Sequence, residues 1–464
     1  MNISNINLGK LFEKLFDEYE KLLPEYVLMN KYDTIPNELP SDLDFSISQE
    51  HFDLLDNIIP EIAKACKLAV VQKIWHGYRK CAYILSPLDV TEPFRLQLDF
   101  FTDFSVKNTP LLIPNDIILK STRKYGRYTV PSYDLEYIFL CLRRIYKNDF
   151  DKEKLIPIRS ALLNEPEKCK KAAKKLWGEA LGKQMAEAIL DEDVETLQRF
   201  RNALWEKTRL KSKENSSASY FLKFWKSQII RYFYRIKYPV GISIAFLAPD
   251  GGGKSTAIEL VKKLSWGAFH GNIELYFRPH LLSNAGAYKP YHKTIEEKTN
   301  FDPHGKEPNG LLKSIARFFF YNLDFILGTW FKVDIMKIQK NLVIFDRYYY
   351  DYYADMKRYQ YSLSPNFARA FAWSIPKPDL IFVLDAPADI LYARKQELTL
   401  EEIERQRRIY RHFTEREPHA VLVDASRSPE EVARQITKTI LRYKAKQTAK
   451  LLHCEVDEEG YPVR

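Results

Sequence analysis

Two groups of residues in this chain have the types and spacing to do chemistry. The first is the run Ala248-Pro249-Asp250-Gly251-Gly252-Gly253-Lys254-Ser255-Thr256. Glycines let a backbone bend until its N–H groups converge on an anion, and a helix starting at the Lys-Ser pair adds the partial positive charge of its N-terminus. A lysine in that place reaches the terminal phosphates of a nucleoside triphosphate, and the serine hydroxyl holds Mg²⁺. Asp250, Gly251, Gly252, Gly253, Lys254, Ser255 and Thr256 are therefore candidate contacts for ATP, with Ser255 also a metal ligand. The usual pattern, G-x-x-x-x-G-K-[ST], begins with glycine, whereas this chain has Ala248. Alanine is compatible with the turn if the backbone there keeps an ordinary negative φ.

The second group is acidic. Asp42 and Asp44 lie two apart in Ser41-Asp42-Leu43-Asp44-Phe45, and Asp99 follows in Leu96-Gln97-Leu98-Asp99-Phe100. On a strand, residues two apart share a face, which suits metal ions spaced by roughly 4 Å. Acids alternating on a strand also arise on ordinary surfaces, so the pattern alone does not make a metal site.

The elements that must position these residues can be read from periodicity. Positions 8–24 carry apolar residues at helical spacing (Leu8, Leu11, Phe12, Leu15, Phe16, Tyr19, Leu22). Short strand-like runs follow at 26–29, 43–46, 67–75 and 94–101, and 132–205 is charged and mostly helical in pattern. The small, polar stretch 211–219 (KSKENSSAS) is the best linker candidate. After it, 220–238 is basic and aromatic together and predicts a helix, ended by Pro239 and Gly241. From 241 the texture changes. Near-continuous apolar runs at 242–247, 273–277, 342–345, 380–384 and 421–423 alternate with helical stretches, which predicts a parallel sheet covered on both faces.

The run F-L-A-P-D-G-G-G-K-S-T resembles the phosphate loop of the thymidylate kinase family. Leu342-Val343-Ile344-Phe345-Asp346-Arg347-Tyr348 is similar to that family's Asp-Arg-Tyr motif at a strand end. Pro378-Asp379-Leu380 through Asp385 and Pro387, then Val421–Ser426 with Pro429–Val432, follow in the family's order, so the match covers about 240–445. The resemblance implies an α/β P-loop kinase using ATP and Mg²⁺, with Lys254 catalytic, Asp346 organising the metal or the acceptor, and Arg347 clamping an acceptor phosphate. It also implies a mobile basic lid in the segment 394–411, where Arg405 and Arg408 share a helical face by spacing. The competing reading of that segment is a solvated helix whose Glu401, Glu402 and Glu404 pair with its arginines. Arg278 stands where the family binds its acceptor. The family's acceptor motif is replaced here by Phe277-Arg278-Pro279-His280, and a long aromatic insert occupies 281–330. Both argue against thymidine monophosphate as the acceptor. The three acids, on residues 1–150, resemble the metal-binding pattern of the nucleotidyltransferase superfamily, although no Gly-Ser turn precedes them (Met29-Asn30-Lys31-Tyr32).

The fold expectation is thus α/β overall. It comprises an α+β nucleotidyltransferase-like domain at 1–150, a helical extension and linker at 151–238, a thymidylate-kinase-like domain at 239–445 and a tail at 446–464. With 464 residues the chain is long enough for two or three cores. A net charge of +10 favours anionic partners: nucleotides, sugar phosphates, nucleic acid or an acidic membrane surface. Five scattered cysteines without a C-x-x-C pair argue against a disulfide framework or zinc site and for a reducing cytoplasm. The polar start at 1–10 is not a signal peptide. No run reaches the roughly 18 apolar residues of a membrane span, and 318–331, interrupted by Asn322 and Asp324, reads as a buried helix.

The basic aromatic helix 220–238 is expected to pack between domains. Peripheral membrane contact, with Phe221, Phe224, Trp225 and Ile229 buried and Lys223, Lys226 and Arg231 outward, is a further reading, as is stacking on nucleic acid. The functional expectation is a cytoplasmic phosphotransferase acting on a small, phosphorylated acceptor such as a nucleoside monophosphate or sugar phosphate, with a homodimer as one assembly. The alternatives are a nucleotide-controlled binding protein with little turnover and a nucleic-acid-modifying enzyme.

Overall fold

The computed structural model describes residues 7–106, 109–282 and 308–463. The expectations placed on 1–10 and on the insert 281–330 therefore fall partly outside the described residues. The chain divides into two compact units. One contains 7–85, Arg95–Phe233 and 448–463, and the other Ser86–Phe94 and Tyr234–Gln447.

The N-terminal unit opens with α1 (Leu8–Leu22), whose N-terminus is capped by the Asn7 side chain accepting the Lys10 N–H. Strands β1 (Tyr26–Leu28) and β2 (Leu43–Ile47) precede α2 (Gln49–Ala65), and β3 (Ala69–Gly77), β4 (Lys80–Ser86) and β5 (Leu96–Phe101) follow it. These strands form one mixed sheet in the order β1-β2-β5-β4-β3, with β2 parallel to β5. Stacked rings of Tyr19, Phe45 and Phe100 fill the space under α1. A pair β6 (Phe104–Val106) and β7 (Thr109–Ile113), the helix α3 (Asn115–Lys120), and a pair β8 (Thr122–Tyr125) and β9 (Tyr128–Pro131) lead into a helical array. That array is α4 (Tyr133–Lys147), α5 (Lys152–Asn164), α6 (Pro166–Trp177), α7 (Glu179–Leu190) and α8 (Val194–Asn215). It shares one core with the sheet side: Phe101, Phe104 and Phe139 belong to the same buried cluster as Trp177 and Leu204.

The polar stretch expected as a linker is helical on both sides of a short break at 216–217, after which α9 (Ala218–Lys237) begins. Its polar composition is that of an exposed helix end, since lysine and glutamate are good helix formers.

In the C-terminal unit the expected strands are present. They are β10 (Ile242–Leu247), β11 (Gly271–Tyr276), β12 (Asn341–Asp346), β13 (Leu380–Asp385) and β14 (Ala420–Asp424). All are parallel, in the order β11-β12-β10-β13-β14. The helices are α10 (Lys254–Leu264), α11 (Leu311–Gly328), α12 (Asp334–Ile338), α13 (Asp351–Ala354), α14 (Pro365–Phe371), α15 (Ala388–Arg394), α16 (Leu400–Arg416) and α17 (Pro429–Leu452). α11 is buried on one face through Phe318 and Phe325, while Phe319 and Leu323 are exposed, so the buried-helix reading of 318–331 holds for one side only. An aromatic core of Phe277, Phe318, Phe325, Tyr348, Tyr349 and Tyr352 packs beside β12. The chain leaves β10 toward β11 on one side and later crosses to β13 on the other, so the carboxyl end of β10 sits where the sheet order reverses. Open α/β sheets form their ligand crevices at such points. Among the described residues, no helix is long and apolar enough to cross a membrane.

Candidate functional site

The glycine-rich turn sits at that carboxyl end, between β10 and α10. Gly251 has φ +79°, and a side chain there would press on the Leu391 carbonyl of α15 at 2.3 Å, so only glycine fits. Gly253, at φ +77°, is the left-handed residue that launches α10. Ala248 is fully buried and is not among the positive-φ residues, which explains why alanine is tolerated where the common pattern has glycine. The Lys254 ammonium folds back onto the Ala248 carbonyl, Nζ donating at 3.1 Å. Burial, and then the neighbouring Arg347 guanidinium, push it down to about 8. Ser255 and Thr256 are exposed on the first turn of α10.

Asp346 ends β12, in register with Phe246 on β10, so the pleat places it beside the turn. The carboxylate is buried, and its Oδ1 has no hydrogen-bond partner among the described residues. A buried, unsatisfied carboxylate oxygen is costly unless a cation or donor completes it. With the Ser255 hydroxyl, it is a hard oxygen donor set of the kind Mg²⁺ takes.

Arg347, expected as a clamp on an acceptor phosphate, makes internal ion pairs. It is buried, in the left-handed region at φ +72°, and both ends of its guanidinium are committed. Nη1 donates to Asp351 at 2.6 Å and Nη2 to Asp250 at 2.9 Å. An acceptor-clamping role for Arg347 competes with these internal pairs. Asp250 also receives Arg358. Burial alone would raise the Asp250 carboxyl, but Arg347 and Arg358 outweigh it and hold it well below the usual range. Asp351 is fully buried and accepts the hydroxyls of Tyr359 at 2.9 Å and Tyr410 at 2.6 Å. A continuous buried chain therefore runs from Tyr410 on α16 through Asp351 and Arg347 to Asp250 in the turn. Asp351, Arg358 and Tyr410 are functional candidates that the sequence did not reveal, since nothing in their spacing announces contacts formed only in the fold.

The lid segment is α15, a short connection and α16. Arg405 pairs with Glu402 and donates to the Ala354 carbonyl at 2.6 Å. Arg407 and Arg411 both pair with Asp385 at the end of β13, and Arg407 also pairs with Glu404. Arg408 is exposed. The i,i+3 glutamate pairing weighed against the lid reading is present for Glu402 and Glu404. Arg278 is buried against Asp324 at 2.5 Å, with the Tyr321 ring under its guanidinium at 4.4 Å. Asp324 also takes the backbone N–H groups of His280 and Leu282, so this pair fixes the turn after β11. An acceptor-binding role for Arg278 competes with that internal pair.

In the N-terminal unit the three acids meet. Asp44 and Asp99 are register partners across the parallel pair β2 and β5, and Asp42 lies just before β2. Oxygens of all three come within 4.8 Å of one another. Asp99 is pushed up to about 7 by burial first and by Asp44 second. The Gln97 amide donates to both of its oxygens, at 3.1 and 3.0 Å. Arg143 on α4 donates to Asp44 and lies 3.7 Å from Asp42, while the Asn30 amide reaches Asp44 at 2.7 Å. The cluster opens on a cavity of about 410 Å³ whose other walls include His76, Lys80, Lys147 and Arg231. His76 Nε2 lies 3.7 Å from Asp99, a proximity that linear spacing could not disclose. Mutually repelling carboxylates fit a divalent cation, provided Arg143 yields its oxygen of Asp44.

The C-terminal unit is thus a parallel α/β domain carrying a phosphate-loop-like turn at its switch point. No protein-family model matches the chain, and no curated protein does. Among solved structures, a thymidylate kinase from Ehrlichia chaffeensis is similar in part. It is 16% identical and covers 44% of this chain and all of that one, at a TM-score of 0.29. A likeness of that size carries no argument about function.

Proposed function

We propose that the C-terminal unit transfers a phosphoryl group from Mg·ATP to a small, already phosphorylated acceptor, a nucleoside monophosphate or a sugar phosphate. The observation that carries this reading is the glycine-rich turn at the switch point, with the half-buried ammonium of Lys254 folded into it. Phosphoryl transfer asks for charge neutralisation and alignment rather than covalent help. The turn's N–H groups and Lys254 bind the phosphates. Ser255 and Asp346 hold Mg²⁺, which neutralises charge on the phosphate oxygens when bound. Arg347 and Asp351 position Asp250, and the α16 arginines supply further positive charge once they exchange their carboxylate partners for phosphate. The N-terminal unit, on this proposal, is a nucleotidyltransferase-like domain whose Asp42, Asp44 and Asp99 hold a divalent cation.

A second reading is favoured by one observation: Arg405, Arg407 and Arg411 are all paired with carboxylates of the protein. A unit that keeps these pairs with nucleotide bound would be an ATP-controlled binding protein. The deciding measurement is ADP formation with Mg·ATP against a panel of nucleoside monophosphates, sugars and sugar phosphates, with Lys254→Ala as control. Acceptor-stimulated turnover that disappears in the variant is the expected result. Tight ATP binding without stimulation by any acceptor transfers the case to the second reading.

A further inference from the structure

Helix α9 faces the wrong way for a soluble surface helix. A surface helix normally turns its apolar stripe inward and its polar face to water. Over 218–233, α9 does the reverse. Phe221, Trp225, Ile229 and Tyr232, with Leu222 and Phe233 beside them, recur at spacings that keep them within roughly a third of the helix circumference. All six are exposed, from 37% for Trp225 to 69% for Leu222. The face turned to the N-terminal unit is instead largely polar. The Tyr220 hydroxyl donates to Asp103 at 2.9 Å, Arg231 to the His76 carbonyl at 2.6 Å, and Ser227 is buried. Of the large apolar side chains in 218–233, Phe224 alone is buried. Two residues thus differ from the sequence reading of this helix as a membrane-surface element: Phe224 and Arg231 both turn toward the protein.

The charge on the helix selects what covers the stripe. Between 218 and 237 there is no aspartate or glutamate, while Lys223 and Lys226 lie exposed beside the apolar row. Lysine stems can lie along an apolar surface while their ammonium groups reach anionic headgroups. We infer that α9 lies in the plane of an anionic lipid surface, with Phe221, Leu222, Trp225, Ile229, Tyr232 and Phe233 entering the headgroup boundary. With two flanking lysines, the helix has the form of an interfacial rather than a spanning segment.

The test is flotation of the full chain with vesicles of mixed phosphatidylglycerol and phosphatidylcholine, and with phosphatidylcholine alone. Binding to the mixed vesicles and little to the neutral ones is expected. Trp225→Glu with Phe233→Glu should abolish binding. Lys223→Gln with Lys226→Gln should weaken it roughly 30-fold, at about 1 kcal/mol per lysine. These side chains point outward, so circular dichroism and Tm should be unchanged in both variants. No binding to anionic vesicles, or equal binding to neutral ones, overturns the inference. So does a dimer in analytical ultracentrifugation that the Trp225/Phe233 variant dissociates without vesicle binding, which assigns the stripe to a second copy.

Discussion

At the end of β10, Lys254 is pushed down to about 8 by burial and by Arg347, while beside β2, Asp99 is pushed up to about 7 by burial and by Asp44. Each unit thus crowds like charges where parallel strands run side by side, and each group is displaced toward its neutral form. The two clusters differ in sign and in what would relieve them. The turn of the C-terminal unit gathers positive charge, and in the proposed function an anion completes it. The N-terminal cluster gathers carboxylates, and in the same proposal a cation completes it in place of Arg143, which donates to Asp44. The difference also lies in how the acids are treated. Asp250 is locked by two arginines, whereas Asp346 keeps an unsatisfied oxygen. An acid held by guanidinium groups positions its neighbours, and one left open is available to a ligand.

Lys254→Ala should lower acceptor-stimulated ADP formation by about 10²–10³-fold, the size typical of losing one preorganised charge contact. Divalent-cation binding by the N-terminal unit should be unaffected, as read by Mn²⁺ titration. The converse change, Asp44→Asn, should weaken Mn²⁺ binding at least about 10-fold, with ADP formation preserved. If both readouts fall together in either variant, the two clusters are not chemically separate.

Asp99 gives a test by pH. Its carboxyl titrates higher in the folded chain than in the unfolded one, so its contribution to stability is lost as pH rises through about 7. Asp99→Asn should therefore stabilise the N-terminal unit, by about 2 kcal/mol more at a pH of about 8 than at about 5, read by denaturant unfolding. An equal effect at both pH values would mean that burial and Asp44 do not raise the Asp99 carboxyl. Lys254 has the opposite sign. Its ammonium is depressed, so nucleotide binding at a pH of about 8.5 should take up a fraction of a proton, read by calorimetry in buffers of different ionisation enthalpy. Lys254→Ala should remove that uptake. The smallest effect is expected at Ala248. Ala248→Gly should cost about 0.5–1 kcal/mol in stability and leave nucleotide affinity unchanged, because alanine already fits the turn.

Much of the C-terminal sheet was legible from its apolar runs, because strands buried on both faces must be apolar throughout. The turn was legible because left-handed backbone and close approach demand glycine at fixed positions. The three acids of the N-terminal unit were legible as candidates by type, and register then joined Asp44 to Asp99. The partners were hidden. Arg143 approaches Asp44 from α4, and Tyr410 approaches Asp351 from α16, each across long sequence separations. The same holds for Arg278 and Arg347, whose charge suggested phosphate and which pair with Asp324, Asp250 and Asp351.

Local chemistry follows from the residues alone: a phosphate-type turn at 248–256, strands of the right period on either side of it, and a helix without acidic residues at 220–238. Those features follow from backbone sterics and hydrophobic period, which act over a few residues. Which charges are open and which are spent, and which face of α9 meets solvent, is settled by the packed fold. Both depend on burial and on partners brought from distant positions, and short-range patterning carries no record of either.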